Sequence, residues 1–114
     1  MPILAKLGRL YCSNAATVAM QRNEVPLFKL IARHRRGDCG FIPAEDREWW
    51  WQTHQCRVSW YRLPDGTTID ITTLEPQDGY ERFPKTYIGI AFAAKNDSYE
   101  LKMPKNHRRR KVNC

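Results

Sequence analysis

The chain contains no apolar run of the length a membrane-spanning helix needs. Its first ten residues, which include Lys6 and Arg9, hold no stretch of signal-peptide type. The expectation is a cytoplasmic protein without membrane contact. Glycine-rich phosphate loops are missing as well, because Gly37 and Gly40 lack the further glycine and lysine of either well-known pattern. Cysteine is sparse: Cys12, Cys39, Cys56 and Cys114 form no C-x-x-C pair and have no histidine at zinc-ligand spacing. They read as reduced thiols, with a Cys12 to Cys56 disulfide as the alternative. No Ser-His-Asp or Cys-His arrangement can be argued from the spacing, and no metal or other cofactor is expected.

Positive charge is what the chain has in excess: 19 Lys and Arg against 12 Asp and Glu, a formal +7 over 114 residues. That balance favours phosphate-rich or acidic partners. It is uneven, since Lys102, Lys105, Arg108, Arg109, Arg110 and Lys111 follow Glu100 with no acid among them, and the rest of the chain is nearly neutral. The length fits one domain with one modest core. Residues 1–104 are expected to form that domain, and 105–114 a flexible basic tail.

Alternation from Leu4 to Cys12 suggests a short strand, ending where Ser13 and Asn14 can cap a helix from Ala15 to about Arg22. A second helix starts near Pro26, repeats Leu27, Leu30, Ile31 and His34 on one face, and stops at Gly37. A third runs from Pro43 to about Gln52, with Glu45 and Asp46 complementing the dipole in its first turn. Val58, Trp60, Tyr61 and Leu63 then lead through Pro64-Asp65-Gly66 into the β-branched stretch Thr67 to Thr73, a hairpin. Thr86 to Ala93 reads as a buried strand, and Asn96-Asp97 as a turn into a last strand from Tyr99 to Met103. The expected fold is therefore α+β, three short helices near the N-terminus followed by an antiparallel meander of about four strands.

Several short words along the chain occur together: Leu7-Gly8-Arg9, Pro26-Leu27-Phe28, Ala32-Arg33-His34, Gly37-Asp38 with Gly40, Glu45-Asp46, Arg57-Val58 with Ser59 and Tyr61, and Asp65-Gly66-Thr67 with Ile69 and Ile71. In these the stretch from Leu7 to Thr73 resembles an uncharacterised family of small proteins carried mainly on bacterial plasmids, phages and other mobile elements, often labelled plasmid-related proteins. The chain departs from that family at Cys39, where a tryptophan is usual. The resemblance implies a bacterial, mobile-element setting and no particular activity.

Three constellations invite a functional reading. His34, Arg35, Arg36 and Asp38 put an imidazole, two guanidinium groups and a carboxylate within one turn and its cap, a phosphate or acid-base site, or else a core histidine beside dipole-compensating arginines. A small hydrolase or nuclease would need His34, Asp38 and Glu45 in one cleft. Trp49, Trp50 and Trp51 span about 200° of a helix, so one packed face cannot bury all three. At least one ring should reach a surface, to meet a protein, stack on bases, or be covered in a homodimer. Arg108, Arg109, Arg110 and Lys111, with Arg33, Arg35 and Arg36, could neutralise phosphates. The reading that follows is a non-enzymatic binding module contacting nucleic acid or a protein partner. An inhibitor or adaptor of a host defence protein is its alternative.

Overall fold

The computed structural model describes residues 7–76, 84–91, 98–101 and 110–111. Its elements are β1 (Arg9–Ser13), α1 (Asn14–Arg22), α2 (Leu27–Arg35), α3 (Ala44–His54), β2 (Cys56–Arg62), β3 (Thr68–Leu74), β4 (Lys85–Ile90), β5 (Ser98–Leu101) and β6 (Arg110–Lys111).

The α+β composition stands, but the antiparallel meander does not. The sheet order is β2-β3-β4-β1-β5-β6. β1 inserts between β4 and β5 and runs parallel to β4, with Arg9 opposite Lys85 and Cys12 opposite Ile88. The sheet is therefore mixed, and β5 pairs antiparallel with β1 instead of continuing from β4. A strand that precedes all three helices thus lies inside the sheet. The physical reason is burial, since Tyr11, Cys12 and Ser13 are almost wholly shielded and their backbone groups need partners on both sides. The basic tail is also corrected in part, because Arg110 and Lys111 pair with Tyr99 and Ser98 as β6. Arg108 and Arg109 lie outside the described residues.

Local chemistry sets the helix ends. Ser13 Oγ accepts from Ala16 N at 3.0 Å and caps α1, and Asn23 Nδ2 closes the other end on Ala19 O at 2.8 Å. α2 stops before Gly37, whose φ is +89°. Two helix exits use left-handed residues other than glycine, Glu24 at φ 56° and Gln55 at φ 57°. Glycine adopts that conformation without the Cβ penalty. Glu24→Gly and Gln55→Gly are each expected to stabilise the fold by about 0.5–1 kcal/mol, read as a higher thermal midpoint. A lowered midpoint in both would contradict this account of the caps.

The hairpin of β2 and β3 is in full register from Cys56 opposite Leu74 to Arg62 opposite Thr68. Its turn is closed by Leu63 N to Thr67 O at 2.8 Å and by Thr67 N to Asp65 Oδ1 at 3.0 Å.

Alternation along the strands assigns the two faces of the sheet. On one, Tyr61, Ile69, Ile71, Ile88 and Cys12 pack under α1 and α2 through Ala16, Ala19, Met20 and Leu30. Ile69, Ile71 and Ile88 are fully buried, each contributing about 1.5–3 kcal/mol of transfer free energy. On the other, Cys56 and Val58 pack with Ile42, and Trp50 and Trp60 lean against them, which places α3 over β2. Cys12 and Cys56 thus sit in separate clusters and, with Cys39, are thiols, so the Cys12 to Cys56 bridge does not occur.

Candidate protein-docking surface

α3 buries none of its residues fully. Of the three consecutive tryptophans, Trp50 and Trp51 are half-buried and Trp49 is 52 % exposed. Trp50 leans on the Ile42, Cys56 and Val58 cluster. Trp51 lies under the Arg57 guanidinium at 4.6 Å, and Arg57 Nε is 3.4 Å from Glu75 Oε2. Trp49 meets Trp50 edge to face, with centroids 4.9 Å apart and planes at 84°, and His54 stands 5.5 Å from Trp49 and 5.1 Å from Trp50. The exposed ring is therefore braced by two others, with little rotamer freedom to lose on binding.

Helical spacing sets the neighbours of Trp49. Glu45 and Asp46 precede it by four and three positions and Gln52 and Thr53 follow by three and four, so they share its face. Arg47 falls about 200° round the helix, on the other side. The open indole is thus flanked by two carboxylates and by no cation of its own helix. Three consecutive tryptophans make an exposed ring legible in the sequence, whereas Glu45 and Asp46 read there as dipole compensation, and Glu45 as a candidate hydrolase residue, with no sign that they frame an indole.

Among the described residues, the remaining sequence candidates do not gather around α3. His34 is 1 % exposed and belongs to a directed chain of hydrogen bonds. Thr86 Oγ1 donates to Leu7 O at 2.7 Å and so accepts from Thr73 at 2.8 Å. Thr73 therefore accepts from His34 Nε2 at 2.9 Å, which leaves Nδ1 to accept from Ser59 Oγ at 2.6 Å. A neutral imidazole with its proton on Nε2 is the form that satisfies every member. Burial, with the Arg57 charge adding to it, pushes the His34 pKa down to about 4. Ser59 is itself fully buried, so this Ser-His pair has no opening for a substrate and instead ties α2 to β2, β3 and β4.

Asp38 is exposed at the end of α2. The Arg33 guanidinium, 2.7 Å away, holds its carboxyl below the usual range, and Asp38 in turn raises Arg33. Arg33 also covers the Tyr61 ring at 4.5 Å, and the Tyr61 hydroxyl donates to the Asp38 carbonyl. Burial pushes Tyr61 up to about 12. His34, Asp38 and Glu45 stand on different elements, His34 buried on the inner side of α2 and Glu45 on α3 over the other face of the sheet. Arg35 and Arg36 are exposed on the α2 side, away from Trp49.

Two features had no signal in the sequence. Phe41, 41 % exposed, carries the Arg62 guanidinium at 4.3 Å and tilts against Trp60 at 5.8 Å. A cavity of about 360 Å³ opens beside α1, walled by Cys12, Met20, Val25 and Leu27 and free of the aromatic and basic residues discussed above. Among the described residues no group of three His, Cys, Asp or Glu could hold a metal, and no helix is long and apolar enough to cross a membrane. No protein-family profile, curated protein or solved structure matches the chain.

Proposed function

We propose that the chain is a cytoplasmic, non-enzymatic binding module of a bacterial mobile element that docks on a protein partner through α3, as an adaptor or inhibitor does. The observation that carries this is Trp49, 52 % exposed and braced by Trp50 and His54 with Glu45 and Asp46 on its face. Rigid, exposed aromatic side chains are the residues on which protein interfaces concentrate their binding energy. A single strand stacking on an indole needs cations along its phosphates. Around Trp49 the flanking charges are carboxylates, and they repel phosphate. The mobile-element setting rests on the resemblance over residues 7–73 and on nothing in the fold.

Trp49, not Trp50, is the residue to test, because Trp50 also packs on the core cluster. Trp49→Ala is expected to change stability by less than about 1 kcal/mol. It should weaken partner binding by about 2 kcal/mol or more, some thirtyfold. A photo-crosslinking residue at Thr53, used in a bacterial host, would mark what lies against this face, and the captured partner would then be titrated against wild type and Trp49→Ala. Crosslinks to nucleic acid alone, or equal affinity for the two proteins, would overturn the reading.

A further inference from the structure

α2 carries a second exposed ring, in an electrostatic setting opposite to that of Trp49. Phe28 is 70 % exposed, and among the described residues no other ring meets it. Helical spacing places Phe28, Lys29, Arg35 and Arg36 within an arc of about 120°, while Leu30 and His34, the buried residues of the helix, lie on the other side. No acid occurs in α2. Asp38, just beyond it, is held by Arg33 at 2.7 Å, and Arg33 also covers Tyr61, so that arginine is committed to the fold. Arg36 attracts the same carboxylate without pairing with it. Among the described residues Lys29, Arg35 and Arg36 are exposed and make no ion pair, whereas Arg22, Arg57 and Arg62 are engaged by Asp65, Glu75 and Phe41.

An open ring and three uncommitted cations on one arc prescribe the chemistry of the partner. Guanidinium forks suit phosphate oxygens, and the ring offers a face on which a base can stack. Bases inside a duplex are already stacked on one another, so the ring has a use only against an unpaired strand. Lys29 and Arg36 are seven residues apart, about 10 Å along the axis, which lets a strand running along the helix meet both. An anionic membrane would use the same cations, but a helix that lies in the lipid interface presents a broad apolar stripe. α2 turns Leu27, Leu30 and Ile31 to the core and leaves Phe28 as the one large apolar side chain on its open arc. An acidic peptide would satisfy the cations and leave the ring in water.

We propose that the outward face of α2 binds single-stranded nucleic acid, with Lys29, Arg35 and Arg36 on its phosphates and Phe28 under a base. Stacking of this kind tolerates any base, so the site takes DNA or RNA with little sequence preference. It lies over the other face of the sheet from α3 and does not rest on the reading of α3 as a protein-docking face.

Fluorescence anisotropy of a labelled oligothymidylate of about 20 nucleotides, titrated with the full chain over a salt series, tests the proposal. The chain should bind the strand at low salt. Phe28→Ala should weaken that binding about fivefold or more, leave its salt slope unchanged, and leave binding to a duplex of the same length unaltered. Lys29→Gln, Arg35→Gln and Arg36→Gln combined should lower the slope of log K against log salt by about 2, at ~0.7 per phosphate contact on a single strand. All four side chains are exposed, and circular dichroism should show both variants folded. Trp49→Ala should bind the strand as wild type does. No binding by the wild type, strand binding unchanged in both α2 variants, an equal effect of Phe28→Ala on strand and duplex, or binding to phosphatidylserine vesicles without binding to the strand would each overturn the proposal. Those results would leave the α3 reading untouched, because the Thr53 crosslink reports on that face separately.

Discussion

Between pH 6.5 and 4 the unfolding free energy of the unaltered chain is expected to stay nearly level, while Asp70→Asn loses about 3 kcal/mol over that interval. His34→Gln is expected to gain a similar amount. The two groups have opposite linkage. His34 is held near pKa 4 in the folded state against an ordinary 6.5, so as pH falls through this window the unfolded chain takes up a proton that the folded chain refuses. Stability then drops. Asp70 sits mid-sheet on β3, opposite Trp60 and Gly89, and accepts from Thr72 Oγ1 at 2.8 Å. Burial pushes its pKa up to about 6, partly offset by the hydrogen bond from Thr72 and by the nearby Trp60 indole. Its folded form takes up a proton first on acidification, so stability rises as pH falls from 6 towards the ordinary 3.8.

The two shifts are of similar size and overlap in pH, so they largely cancel in the unaltered chain and single substitutions expose them. Asp38 and Asp65, both held below the ordinary carboxylate range, add stability that is lost only as pH falls below about 4, outside this window. Glutamine at position 34 keeps one donor and one acceptor for Thr73 and Ser59, which limits other damage. Urea unfolding of the three proteins at a series of pH values reads the slopes directly. Parallel curves would show that neither buried group is coupled to folding in this way.

Much of the local structure was legible because it depends on short-range chemistry. The cap at Ser13, the stop at Gly37, the acids Glu45 and Asp46 at the start of α3 and the Asp65-Gly66 turn each act within a few residues, and the elements they bound lie close to their expected positions. The place of β1 was not legible. Its parallel pairing with β4 joins Arg9 to Lys85, and alternation along a strand says that one face is buried without saying which strand lies beside it. The same limit applies to the site. Three adjacent tryptophans on one helix require an exposed ring, but that Trp49 is the one depends on Trp50 reaching the cluster around Val58 and on Arg57 covering Trp51. His34 shows the converse case: its apolar face is readable, whereas Ser59, Thr73 and Thr86 complete its network through hydrogen bonds that span 25, 39 and 13 residues.

Gly40→Ala is expected to cost on the order of 3 kcal/mol and to weaken docking through Trp49 as well. Gly40 has φ +70°, and a Cβ there would stand 1.8 Å from the carbonyl oxygen of Trp60 and 2.8 Å from its carbon. Both are backbone atoms, so no side-chain rotation relieves the overlap. Relief requires the segment 39–41 to leave the edge of β2, which breaks Trp60 N to Cys39 O and Phe41 N to Trp60 O, each 3.0 Å. Two lost hydrogen bonds at about 1 kcal/mol each, with left-handed strain of a similar size, give the figure. That segment continues through Ile42, 5 % exposed against Cys56 and Val58, into Pro43 and the first turn of α3, so its release also loosens the platform that holds Trp49. Gly37→Ala is the control. Its φ is +89° but nothing lies within 4 Å of the added carbon, so it carries the strain alone, about 1 kcal/mol. The difference in denaturation midpoint between the two variants isolates the close approach, and faster hydrogen exchange at the Phe41 and Trp60 amides should appear only in Gly40→Ala. Equal midpoints and equal exchange would mean that the 39–41 segment does not hold α3 in place, and that Trp49 owes its position to the contacts of Trp50 and His54 alone.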